Sequence, residues 1–408
     1  MTDVERELLM MRKKLLVLSS TYPRWSGDTE PSFVHDLSRR LAENMEVTVL
    51  CPSAKGASRV ETMDNVNIVR YRYAPNAWET LVHNGGIVNN IRSKPWKAVL
   101  LPSFVLSQIF TALWLCLRSR PDVLHAHWLV PQGAVAALVS MCFRWKIPFV
   151  VTSHGTDLWS FKGRIWCGIK GWVAHRASTV TVVSRAMLKE LANQVGAVKN
   201  VVVAPMGVDL ENRFRPATNE EGGARRIITV GRLIESKGVE YLIGALPELL
   251  QRFPDSTVLI VGDGPDKTRL QDMAKKLGVL NCCEFAGKVS HNELPELYRS
   301  SSVFVAPFLQ EGLGLVCIEA LGCGCPVIAS DIPALADIIE HSGNIHLVPT
   351  RNSGAIANAI TTVFSDVDMG LTEVKRSHSK LCDNFGWNVV TEGYVAILNR
   401  AIVQKAKN

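Results

Sequence analysis

A chain of 408 residues with 47% hydrophobic and 20% charged side chains has the make-up of a folded globular protein, which excludes wholesale disorder and fibrous repeats. At about 150 residues per domain the length predicts two or three domains, with two as the working count. The net charge of +7 is uneven: residues 1–217 hold 27 Lys and Arg against 16 Asp and Glu, and the remainder 18 against 22, so the first half suits an anionic partner such as acidic lipid, polyphosphate or nucleic acid, or is simply a solvated face.

Near the start, Arg12, Lys13 and Lys14 precede an apolar run at 15–20, which is too short for the core of a signal peptide and reads as a first strand. Further Val/Ile/Leu-rich runs at 46–51, 67–73, 123–127, 149–153, 179–184 and 201–204 alternate with helical segments, the pattern of a parallel sheet covered on both faces. Pro31 followed by Phe33, Leu37 and Leu41 marks one helix. The stretch 98–117 is almost long enough to cross a bilayer, yet it holds Pro102, Ser103, Ser107, Gln108 and Thr111, so a buried domain helix is expected. From Met206 to Arg225 the periodicity lapses around Pro216, Asn219 and Gly222, predicting a linker. A second alternation follows, with strands at 227–230, 257–261, 284–286, 303–307 and 327–330.

Ten cysteines occur without a Cys-x-x-Cys pair, and those in apolar runs (Cys51, Cys116, Cys142, Cys317) read as small hydrophobes in a reducing, cytoplasmic compartment. His125 and His127 form an H-x-H at a strand end, but no third ligand has suitable spacing for a metal; His127 is expected to line a cleft. Asp366 and Asp368 make an Asp-x-Asp in a polar stretch, a weak sign of a metal-dependent transferase. Residues 159–176 interleave Trp159, Trp166 and Trp172 with Lys162, Arg164, Lys170 and Arg176, which fits either an interfacial segment or a helix packing its tryptophans inward.

The most specific segment runs from Ala306 to Ser330. Glu311 lies in a Gly-rich loop and Glu319 on the helix that the loop opens at Gly314 and Leu315, so amides at that helix N-terminus suit phosphate. A second signal is Gly231, Arg232 and Lys237, an Arg just after a strand and a Lys before the next helix; two fixed cations there can clamp a diphosphate and stabilise charge on a departing nucleotide without metal. Gly262, Asp263, Gly264 and Pro265 follow a strand as a dinucleotide fingerprint does, but Pro265 and the absent third Gly spoil it. Ser153, His154, Gly155, Thr156 and Asp157 end a strand of the first half, and Gly27 lies in the loop 21–30 after the first strand.

With seven residues between its glutamates, the segment resembles the E-x7-E signature of retaining glycosyltransferases of family 4, and G-R-L-x4-K-G resembles that family's diphosphate-binding pair; the similarity extends from about Lys14 to Ala401. It implies the GT-B fold, an α/β architecture of two Rossmann-like domains facing across a cleft, with 1–210 on the acceptor side, 211–385 binding the nucleotide sugar and a helix within 386–408 crossing back. By the same resemblance Glu319 binds the donor ribose, Glu311 contacts the transferred sugar, Arg232 and Lys237 hold the diphosphate, and Val289 lies where backbone groups read the base. His154 stands near the transferred sugar, and the G-D-G-P turn borders the donor site. Gly27 stands alone where the family has adjacent glycines, which leaves its part in approaching the diphosphate open. The expected partners are a UDP- or GDP-sugar donor, with no tightly bound cofactor and no metal, a saccharide or lipid-linked acceptor, and an anionic membrane surface on the cytoplasmic side. A sugar-nucleotide epimerase is the nearest rival. A basic nucleic-acid-binding protein is the rival from another class, disfavoured because the strongest motifs are acidic or diphosphate-directed.

Overall fold

The computed structural model describes residues 12–28, 30–83, 85–216, 225–342, 345–365 and 371–406. Asp366, Asp368 and most of the polar stretch before Arg225 lie outside the described residues. The chain divides into two compact units, one made of residues 1–205 with 391–408, the other of 206–390.

The first unit is built on an eight-stranded sheet in the order β3-β4-β2-β1-β5-β6-β7-β8. Its strands are β1 (Lys13–Leu18), β2 (Met45–Pro52), β3 (Val60–Met63), β4 (Val66–Tyr71), β5 (Val123–His127), β6 (Phe149–Ser153), β7 (Thr179–Val182) and β8 (Val201–Val203). All pairings are parallel except β3–β4, with Leu15 opposite both Val47 and Val123 in the centre. The central strands carry apolar residues on both faces because helices cover both, and Leu15 to Leu18 are almost wholly buried. The edge strand β3 has no sequence signal of its own, since none of its residues is buried; it is held by a two-residue turn with Asp64 and Asn65 at positive φ.

The second unit repeats the plan with six parallel strands in the order β11-β10-β9-β12-β13-β14. They are β9 (Arg226–Val230), β10 (Thr257–Val261), β11 (Cys283–Gly287), β12 (Val303–Ala306), β13 (Val327–Ser330) and β14 (Ile345–Val348). Ile227, Val258, Val303 and Ile328 on the sheet pack against Leu242, Ile243 and Leu246 of the helix Val239–Arg252 and Ile356 and Ile360 of the helix Ser353–Ser365.

Each sheet changes direction at one point: chain order runs outward from β1 one way and from β5 the other, and likewise from β9 and β12. Loops leaving the C-terminal ends of the flanking strands diverge there, which is where open α/β sheets bind ligands.

Three expectations are corrected. The start of the predicted linker is not free, because Met206, Val208, Leu210 and Phe214 are buried in the second unit. The apolar helix Leu101–Ser119 is not wholly buried; only one face meets the sheet. Cys142 is exposed, whereas Cys51, Cys116 and Cys317 are buried.

Candidate functional site

In the second unit β9 runs into Gly231 and Arg232, and a short 3-10 turn, Glu235–Lys237, brings Lys237 back beside the strand ends. Gly238 then starts the helix Val239–Arg252 at φ 61°, and a Cβ there would fall 2.0 Å from the Pro307 carbonyl oxygen, so this position needs glycine twice over. That close approach sets the Lys237 turn against the loop leaving β12. Lys237 Nζ forms an ion pair with Glu311 Oε2 and lies 4.3 Å from the Phe308 ring centroid. The other carboxylate oxygen of Glu311 accepts a hydrogen bond from the Gly312 amide at 3.1 Å.

Gly314 caps the helix Leu315–Gly322, whose first turn begins at Leu315. Glu319, one turn further, is buried and held by two side chains that sequence reasoning missed: Tyr298 donates to Oε2 at 3.1 Å, and His291 Nε2 lies 3.0 Å from Oε1. His291 in turn meets Arg213 at 2.9 Å. Burial, and then the negative charge of Glu319, push the Tyr298 hydroxyl well above its ordinary pKa, so it stays a donor. The two glutamates therefore have separate partners, Lys237 for one and Tyr298 with His291 for the other. No periodicity marks Tyr298 or His291; only the approach of the helix Leu294–Arg299 to the helix Leu315–Gly322 reveals them.

The G-D-G-P turn serves packing: a Cβ on Gly262 would fall 1.8 Å from the Gly231 carbonyl oxygen, and one on Gly264 would fall 2.2 Å from that of Leu233. It presses the Gly231–Leu233 loop into place. Val289 follows β11, half-buried, just past Gly287.

In the first unit His154 leaves β6 and His127 ends β5. Their rings stack at an interplanar angle of 12°, with His154 Nε2 and His127 Nδ1 2.9 Å apart. His127 is thus buried behind His154 rather than lining a cleft. His125 bonds Thr152 Oγ1 at 2.7 Å, so the two histidines of the H-x-H have different partners. Burial, followed by the charge of His125, lowers the His154 pKa to about 3, and burial lowers His125 to about 3; His127 is pushed down for the same reasons. All three are neutral at ordinary pH. Phe33 and Trp128 pack on His154 at 4.9 and 5.1 Å, and Trp128 holds a positive φ of 75°, a local strain for a bulky residue. Asp157 ties the two strand ends together, accepting from Leu129 N at 2.7 Å and Ser153 Oγ at 2.8 Å.

Gly27 sits at the exposed tip of the loop after β1, at φ 79°, with nothing within 4 Å of where a Cβ would lie. The loop is stapled by Arg24, whose guanidinium donates to both oxygens of Asp28 at 2.8 and 2.6 Å, and by buried Arg70, which donates to the carbonyls of Pro23 and Arg24. In the stretch 159–176, Lys170 is wholly buried, with Nζ bonded to the Phe161 carbonyl and Gln194, so it is not part of any lipid-facing surface.

Two doubly wound, mostly parallel sheets, each with polar and charged groups near the C-terminal ends of its strands, are the architecture of the GT-B fold. The chain belongs to glycosyltransferase family 4: residues 32–212 match the model of Glycosyltransferase Family 4 and residues 211–376 that of Glycosyl transferases group 1. It is 30% identical over 278 residues to phosphatidyl-myo-inositol mannosyltransferase of Mycolicibacterium smegmatis, covering 66% of this chain and 69% of that protein. It is 29% identical over 281 residues to glycogen synthase of Mycobacterium tuberculosis, covering 66% and 67%. Its fold matches sucrose-phosphate synthase from Thermosynechococcus elongatus with a TM-score of 0.77 at 20% identity, over 96% of this chain and 100% of the other.

Proposed function

We propose that the protein is a retaining glycosyltransferase that moves a sugar from a nucleoside diphosphate sugar to an acceptor hydroxyl in cell-surface polysaccharide or glycolipid assembly. The observation that carries this is the arrangement at the β9/β12 switch point, where the Arg232 loop, the Lys237–Glu311 pair and the helix capped by Gly314 converge. Arg232 and Lys237 offer the diphosphate two cations, and the amides from Gly314 and Leu315 lie at a helix N-terminus that favours an anion. Glu319, preset by Tyr298 and His291, takes the ribose hydroxyls, and Val289 contributes backbone to the base. Glu311 contacts the sugar.

The first unit carries the acceptor side. His154 is neutral there, so it orients hydroxyls by hydrogen bonding without carrying charge, and Gly27 presents bare backbone. The bond from the anomeric carbon to the diphosphate oxygen breaks with its electron pair passing to the nucleotide. The acceptor oxygen bonds the same face of the sugar, and its proton goes to the leaving phosphate. The cations on Arg232 and Lys237 stabilise the charge that develops. No metal is assigned a role. The name of the mycobacterial mannosyltransferase, which acts on phosphatidyl-myo-inositol, supports a lipid-linked acceptor.

A thermal-shift panel of UDP-, GDP- and ADP-sugars identifies the donor, since a bound donor raises the melting temperature according to its affinity. With that donor, Glu319→Ala and Lys237→Ala each abolish turnover and leave the fold intact. Near-normal rates in both variants, or an epimerised nucleotide sugar as the product, overturn the reading.

A further inference from the structure

The helix Leu101–Ser119 connects β4 to β5 and buries Phe104, Gln108, Ala112, Leu115 and Cys116 against its own unit. At about 100° of turn per residue, Leu106, Phe110, Trp114 and Leu117 fall together on the opposite side. They are 51%, 67%, 52% and 67% exposed. Val99, at 79% exposure, leads into this stripe, and in the turn before it the exposed Trp96 stacks edge-to-face on Trp78 at 5.9 Å. A continuous apolar face of this kind on a folded domain marks a contact surface.

The charge flanking the stripe along the chain has one sign: residues 80–121 contain five Lys and Arg, of which Lys97 is buried, and no Asp or Glu, the next acids being Asp122 and Asp157. Asp157 is buried among its own hydrogen bonds, and Asp122 accepts from the Lys14 amide. Arg92 and Lys94 precede the helix, and Arg118 and Arg120 end it, with the Arg118 guanidinium 5.6 Å from the Trp114 ring centroid.

We propose that this face docks on an anionic lipid membrane, with the helix lying in the plane of the interface. Aliphatic and aromatic side chains enter the acyl boundary while the flanking cations meet headgroup phosphates, which is how interfacial helices bind. The helix does not span the bilayer, because its other face, including wholly buried Gln108, is committed to the domain core. A second copy of the chain fits less well, since a two-fold contact brings the same cations together with no acid to offset them. Nucleic acid offers nothing to Val99, Leu106 and Leu117. The proposal stands apart from the donor assignment, and it places the membrane face on the helix at 101–119; in the stretch 159–176 Lys170 is buried and takes no part, whereas Lys162, Arg164, Ile165 and Trp166 are exposed.

The test is co-sedimentation of the full chain with phosphatidylcholine vesicles with and without phosphatidylglycerol. Wild type is expected to pellet only with the anionic vesicles. The doubly substituted Phe110→Glu, Trp114→Glu chain should bind at least about tenfold more weakly, with an unchanged melting temperature because both positions are exposed. If that variant misfolds, Leu106→Ser with Leu117→Ser makes the same test. Failure of wild type to pellet overturns the proposal, as does equal binding by folded variants. A wild-type dimer in analytical ultracentrifugation that the substitutions make monomeric, without vesicle binding, assigns the stripe to self-association instead. A shift on generic oligonucleotides at physiological ionic strength without vesicle binding overturns it equally.

Discussion

Glu319 shows how much of a binding residue's behaviour is set by its neighbours. A buried carboxylate needs donors on both oxygens, and here Tyr298 and His291 supply them. Tyr298→Phe keeps the ring and removes the O–H, so the folded state should lose about 1–3 kcal/mol. If Tyr298 only orients Glu319, the donor KM rises while kcat stays near wild type, the mark of lost ground-state binding. Steady-state kinetics on the donor found by thermal shift checks this, and a fall in kcat with KM unchanged would contradict it. Glu311 differs in having a cation as its partner: Lys237 is flanked by Phe308, so Lys237→Met keeps most of the ring contact and loses the ion pair. That variant should fold but lose some stability, because the pair is largely buried, with side chains 18% and 21% exposed, and Glu311 is left without its cation; it should lose turnover altogether. A melting curve and a single-turnover assay separate the two effects.

At the scale of elements, the loops matter through how closely they approach one another. Gly238 and Gly27 both hold left-handed φ, but only Gly238 faces a backbone atom, the Pro307 carbonyl. Gly27→Ala should cost about 1 kcal/mol, the conformational part alone, whereas Gly238→Ala adds a clash and should cost several times more and displace Lys237 from Glu311. Urea titration of the two variants gives the comparison, and equal midpoints would show that the close approach relaxes freely. The alternation of strands and helices was legible because apolar periodicity and Gly-rich loops are local signals, whereas the grouping of Lys237, Glu311, Glu319 and His154 into one site is what the resemblance to the family implies. The sequence hid β3, whose half-exposed residues lack a pattern, and it hid Tyr298, His291, Arg24 and Arg70, whose roles arise when elements distant in sequence meet. It also misjudged the helix at 101–119, since a uniformly apolar composition does not tell which face is covered.

For the whole molecule, the last helix and the histidines bear on how the first unit holds together. The unit boundary falls inside the helix Trp387–Ala406, and its Tyr394, Leu398 and Ala401 are buried in the first unit, where the Tyr394 hydroxyl donates to the Ala204 carbonyl at 3.2 Å. The fully buried pair His125 and His127 lies in that same unit, beside the Tyr394 ring. Burial holds the His125 pKa at about 3, against about 6.5 in the unfolded chain. On acidification the unfolded state takes up the proton first, so stability is complete above about pH 6.5 and falls as pH drops toward 3. From pH 7 to pH 5, His125 alone removes up to about 2 kcal/mol, and His127 acts in the same direction. Chains of more than one domain commonly unfold in more than one step, so calorimetry should show the transition of the first unit moving down across this range more than that of the second. His125→Gln should flatten the dependence even if it lowers stability at pH 7. Equal movement of both transitions, or a slope unchanged by the substitution, would mean that acid acts elsewhere.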